Sequence, residues 1–136
     1  MKVRELLNEG LEKRDTYKIL LDFIRFAAKD LELNSLPKFD FVFDSAGSIE
    51  RRSFGGYMPG EEFITITVVN RHIMDVCRTL AHELVHYSQD LKKELEDDEA
   101  GATGSPQENE ANARAAVIMR NFGKAFPDMF GKESIS

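Results

Sequence analysis

Apolar positions along the chain switch between a helical and a strand-like period, and each switch marks the border of an element. Val3, Leu6, Leu7 and Leu11 recur at helical spacing, which predicts a short amphipathic helix over residues 3 to 13, weakened by Gly10. From Asp15, placed as an N-cap, Tyr17, Leu20, Leu21, Ile24, Ala27, Ala28 and Leu31 form the stripe of a helix packed on a core. Phe39, Phe41 and Phe43 then alternate with other residues, as a strand requires. Two turn signals follow, Gly55-Gly56 and Pro59-Gly60, in a segment read as a hairpin or irregular loop. In "FITITV", Ile64, Ile66 and Val68 share one face and Thr65 and Thr67 the other, the mark of a strand with one exposed side.

The next helix is expected from about Arg71 to about Leu95, with Ile73, Cys77, Leu80, Leu84 and Leu91 as its apolar stripe. His82 and His86 fall nearly opposite Leu84, on a face shared with Asp75, Thr79 and Gln89. Residues 96 to 105 form an acidic connector without periodicity, read as a solvated loop. A last helix is expected from Ser105 to about Phe122, stopped by Gly123, before a tail that should be mobile over residues 131 to 136. The order of elements predicts an α+β fold, helices packed on a small mixed or antiparallel twisted sheet.

A length of 136 residues with 42% apolar side chains suits one domain over residues 1 to 136. The net charge of -6 and isoelectric point near 5.1 repel polyanions, so neither nucleic acid nor an anionic membrane is expected as a partner. Cys77 is the single cysteine, and the leucines of the first segment are interleaved with charges. A fold without disulfides and a chain without an apolar run of ~20 residues lead to the expectation of a cytoplasmic, unanchored protein.

The chemistry is concentrated in "HELVH", residues 82 to 86, which holds two of the three histidines. Residues four apart on a helix stand one above the other about 6 Å apart, so His82 and His86 can reach one metal ion. Glu83 is rotated about 100° from His82 and would stand beside the ion as a general base instead of binding it. A chance HExxH in a chain of this composition is on the order of one in a hundred or less, which favours a zinc site over coincidence.

A catalytic zinc site needs a third protein ligand. The HExxHxxGxxH pattern fails, because the chain has Gln89 and Lys92 where glycine and histidine are required. His72, ten residues before His82, lies ~15 Å away along the same helix and is read as a helix-start residue. A downstream carboxylate remains. "SPQE" fits a capping box that occupies Glu108, so Glu110 is favoured over Glu108, with Asp97, Asp98 and Glu99 as further acids.

"HELVH" and the later "ENEANARAAVIM" resemble the gluzincins, and more closely the ImmA/IrrE group of small zinc metallopeptidases, over roughly residues 54 to 122. The resemblance implies a minimal zincin-like domain with the HExxH helix at its centre. It implies one zinc ion on His82, His86 and Glu110, with Glu83 as catalytic base. Such domains often come from phages or mobile elements, and members of the group cut DNA-binding repressors, which implies a protein substrate. In zincins the strand corresponding to "FITITV" runs along the cleft, so the Thr65 and Thr67 side of an edge strand is expected to pair with an extended peptide. Arg114 departs from the thermolysin-like pattern, which has an acid there to orient a ligand histidine. Tyr57, Tyr87 and Arg114 are candidate oxyanion donors, none assigned. The leading expectation is a zinc-dependent endopeptidase. A zincin-fold protein with a regulatory or structural role and little hydrolysis is the alternative, and a metal-free helical interaction domain is the third.

Overall fold

The computed structural model describes residues 13–43, 55–93 and 104–128. The helix expected over residues 3 to 13 and the connector over 96 to 105 lie outside the described residues except at their last positions, and the tail lies outside them entirely. The described residues form an α+β arrangement of three helices and one three-stranded sheet, in the order α1 (Lys13–Asp30), β1 (Lys38–Val42), β2 (Gly55–Met58), β3 (Phe63–Thr67), α2 (Ile73–Leu91) and α3 (Pro106–Ala125).

Helix α1 buries Thr16, Ile19, Leu20, Phe23, Ile24 and Ala27. Two members of the expected stripe, Tyr17 and Leu21, are 38% and 46% exposed, so the buried face is rotated from the expected one. The cause lies in "YKILLDFIRF", which is apolar around much of its circumference, so periodicity alone leaves the centre of the stripe open. Packing decides it: Phe23 meets Phe122 of α3 edge-on at 5.0 Å, while Tyr17 lies over Phe41 and Phe43 at 5.9 and 5.0 Å. Asp15 stands in the first turn of α1, not at its cap. The helix closes with Leu33 N–H on Ala28 O and Glu32 N–H on Lys29 O, Glu32 taking a left-handed φ of 57°. These are the paired bonds of a Schellman ending.

The sheet is mixed, with strand order β1-β3-β2. β1 and β3 run parallel with Phe39 opposite Ile64 and Phe41 opposite Ile66, and β2 pairs antiparallel with Tyr57 opposite Ile64. β3 is therefore the central strand, and the expectation of a β3 edge open to peptide is overturned. Alternation reports which face of a strand is buried but not which strands flank it. Ile64, Ile66 and Val68 point into the core as expected, but Thr67 is buried too, and only Thr65 of the threonine pair is partly exposed.

Strands β2 and β3 join through Met58-Pro59-Gly60-Glu61, with Glu61 N–H on Met58 O at 3.1 Å and Gly60 at a φ of 84°. Proline at the second position and a left-handed glycine at the third define a type II turn. The Asp90 carboxylate of α2 accepts from Gly60 N–H at 2.9 Å and from the Tyr57 hydroxyl, tying this hairpin to the helix. At the other end of β2, a Cβ on Gly55 would lie 2.5 Å from Thr79 Cγ2, so β2 approaches α2 at a distance only glycine permits.

Helix α2 packs against α1, α3, β2 and β3, which explains why it buries residues around most of its girth, from Val76 and Leu80 to Val85 and Tyr87. Its N-cap is His72, whose Nδ1 accepts from Met74 N–H at 3.0 Å, as the helix-start reading requires. It ends at Leu91 instead of Leu95, and Leu91, assigned to the apolar stripe, is 45% exposed. Helix α3 continues through Gly123 to Ala125, a lone glycine being only a weak breaker, and Phe126 beyond it caps the helix on Phe122 O with its ring 4.9 Å from that of Phe122. Ala111 and Ala115 are buried, whereas Ala113 and Ala116 are exposed. No described helix is long and apolar enough to cross a membrane.

Candidate metal centre

His82 and His86 project from successive turns of α2, their rings 4.7 Å apart and nearly perpendicular, with the two Nε2 atoms 3.2 Å from each other. The third group comes from the first turn of α3. Glu108 places Oε2 2.9 Å from His82 Nε2 and Oε1 3.1 Å from His86 Nε2. Ligand atoms of all three residues lie within 4.8 Å of one another.

Glu108, not Glu110, is the carboxylate that the structure brings to the imidazole pair. The capping-box reading was correct for the backbone: Ser105 Oγ accepts from Glu108 N–H at 3.1 Å. Glu108 gives its N–H to the cap, and its carboxylate crosses to α2. Residues 108 and 110 are about 200° apart around a helix, so they meet different neighbours. Glu110 Oε1 accepts from Gln89 Nε2 at 2.7 Å. Asp97, Asp98 and Glu99 lie outside the described residues.

Two imidazole nitrogens and a carboxylate thus converge with no lysine or arginine among them, and the contacts are favourable only where a proton or a metal ion lies between the facing atoms. Tetrahedral ligands bound at roughly 2.0–2.1 Å are separated by about 3.3 Å, so the observed 2.9 to 3.2 Å separations fit one small ion after slight expansion. Side-chain exposures of 18% for His82, 12% for His86 and 24% for Glu108 leave the cluster half-buried but reachable. Burial lowers the pKa of His82, opposed mainly by the charge of Glu108, and so favours the neutral imidazole that a metal requires.

Glu83 is buried and stands outside the convergent trio. Desolvation pushes its carboxyl up to about 7, with the Glu108 charge adding and His86 opposing. It is therefore close enough to feel both groups without joining them. Gln89, which is fully buried, links the two helices: its Oε1 faces His86 Nδ1 at 2.8 Å and its Nε2 donates to Gln107 O at 2.9 Å. Sequence reasoning placed Gln89 on the histidine face but gave it no role, although its i+3 spacing from His86 was the available signal. The three oxyanion candidates have other partners: Tyr87 Oη bonds Ser35 Oγ at 2.8 Å, Tyr57 bonds Asp90, and Arg114 holds Asp30 Oδ2 at 3.0 Å.

Comparisons with protein-family models, curated proteins and solved structures return no match for this chain.

Proposed function

We propose that the protein is a zinc-dependent endopeptidase with a minimal zincin-like fold, its ligands His82, His86 and Glu108 and its general base Glu83. The observation that carries this reading is the convergence of two imidazoles spaced i,i+4 and one carboxylate from the next helix, with the HExxH glutamate buried beside them. Zinc bound by such a set lowers the pKa of a water to roughly 7 and polarises a carbonyl oxygen. Glu83, held in a partly desolvated position, accepts the proton of the attacking water and returns it to the leaving amine.

The peptide class of substrate is supported by the strand beside the motif helix. Among the described residues β2 has no partner on its outer side, and it is anchored to α2 at Asp90, one turn beyond His86. An extended peptide adding to β2 would be carried along that side of the helix by main-chain hydrogen bonds.

The decisive test compares wild type and Glu83→Gln for zinc content and for new protein N-termini generated in a host lysate. Equal zinc with termini produced only by wild type is the expected result. Equal zinc with identical terminus profiles would instead favour a regulatory metal-binding role, and absence of zinc from both would remove the metal reading.

A further inference from the structure

Beyond the trio, the two ligand-bearing helices meet at a buried amide. Gln89 is almost completely enclosed there, and its side chain has three partners: His86 Nδ1 at 2.8 Å, Gln107 O at 2.9 Å and Glu110 Oε1 at 2.7 Å. The identity of two of these decides the third. A main-chain carbonyl and a carboxylate can only accept, so together they take both amide hydrogens of Gln89. Its oxygen is then left facing His86, and an amide oxygen can only accept. His86 must therefore carry a hydrogen on Nδ1, and in the neutral ring that a metal requires this leaves the Nε2 lone pair directed at Glu108 and His82.

We infer that Glu110 and Gln89 form a positioning relay, Glu110 to Gln89 to His86, that holds His86 in its Nδ1–H tautomer and aims Nε2 at the metal position. The inference rests on the proposed metal site and assigns its orienting groups. Glu110 is thereby a positioning residue in place of a ligand. Both acceptors that set the amide belong to the first turns of α3, the same segment that delivers Glu108. Docking α3 on α2 consequently supplies the third ligand and selects the ligating nitrogen of the second in one step. It also answers what replaces the acid that thermolysin-like patterns place at position 114, where this chain has an arginine committed to Asp30.

Loss of a supporting hydrogen bond to a ligand histidine typically weakens metal binding by roughly 10–100-fold. Gln89→Leu removes the acceptor for His86 without stranding Gln107 O, which also accepts within the helix ladder of α3. Gln89→Glu places a carboxylate against two acceptors and should weaken zinc comparably. Gln89→Glu combined with Glu110→Gln relieves one of the two clashes: the amide introduced at position 110 donates to the carboxylate introduced at position 89, which in turn accepts from His86, while Gln107 O still faces that carboxylate.

The test is zinc affinity by competition with a chromophoric chelator, together with the histidine tautomers of the metal-free protein by nitrogen-15 NMR at about pH 8, above the ordinary imidazole range. Expected are an Nδ1–H His86 in wild type, its loss in Gln89→Leu, weaker zinc binding in both single variants, and partial recovery in the double variant. Thermal melts establish which variants are folded, and the wild-type tautomer is informative even if one is not. An Nε2–H His86 in folded wild type, or zinc affinity unchanged by Gln89→Leu and Gln89→Glu, would overturn the relay. A wild-type protein that shows the Nδ1–H form but binds no zinc would keep the relay and sink the metal reading instead.

Discussion

Glu108 Oε2 lies 2.9 Å from His82 Nε2, joining the first turn of one helix to the middle of another through a contact between side chains 26 positions apart in the chain. The contact chooses Glu108 over Glu110, the glutamate that the capping-box pattern favoured. Glu108→Ala should lower zinc affinity by more than the roughly 10–100-fold typical of an outer hydrogen bond, whereas Glu110→Ala should stay within about tenfold, because Gln107 O still holds the Gln89 amide. Chelator should lower the melting temperature of wild type and Glu110→Ala but leave Glu108→Ala unchanged, since a ligand at 100 times its Kd stabilises a fold by about 2.7 kcal/mol. The reverse ranking would restore Glu110 as the ligand.

Gly55 is required by space, not by backbone angle. A Cβ there meets Thr79 Cγ2 at 2.5 Å, while one on Gly56 meets nothing within 4 Å. Gly55→Ala should cost about 1–3 kcal/mol through overpacking, and Gly56→Ala should remain within about 0.5 kcal/mol of wild type. Adding Thr79→Ser to Gly55→Ala removes the obstructing methyl, keeps the hydroxyl that accepts from Arg71, and should recover most of the loss in urea denaturation. Equal midpoints for the two alanine variants would refute the close approach of β2 to α2.

The Tyr57 phenol is held above its ordinary pKa, first by burial and then by its hydrogen bond to Asp90 and that carboxylate's charge. The folded state therefore favours the neutral phenol. Its contribution to stability is complete below the unfolded tyrosine range near 10 and is lost as pH climbs beyond it. In an absorbance titration at alkaline pH, one tyrosine should ionise late, together with unfolding, and Tyr57→Phe should abolish that late component. A titration curve unchanged by the substitution would show that the Tyr57–Asp90 contact does not persist in solution.

Phe122 is fully buried and meets Phe23, Phe26 and Phe126 at ring separations of 5.0, 5.4 and 4.9 Å. Phe122→Ala should destabilise by about 3–5 kcal/mol, and Val117→Ala, on the exposed side of the same helix, by no more than about 0.5 kcal/mol. Calorimetric melts that fail to separate the two would mean that α3 does not pack on α1 through this face.

Much of this molecule was legible because its local signals agree with one another. Alternation in "FITIT" placed the strand and its buried isoleucines, and Ser105 followed by Pro106 marked the start of α3. The spacing of His82 and His86 placed both rings on one side of α2. Where two local patterns overlap, tertiary packing decides between them. Helix α1 is apolar enough to present more than one stripe, and Phe23 against Phe122 chose among them. Gly123 reads as a stop, but a lone glycine is a weak breaker, and the turn beyond it packs Phe126 against Phe122.

The amino-acid order by itself determined the α+β alternation of elements, the helix that carries HExxH, and the pairing of its two imidazoles, because each of these follows from interactions within a few residues. Which strand lies at the centre of the sheet, which glutamate reaches the imidazoles, and which nitrogen of His86 faces them were decided only by tertiary structure. All three depend on how elements distant in the chain are docked, and a helix presents a different residue to its neighbour for each rotation about its own axis.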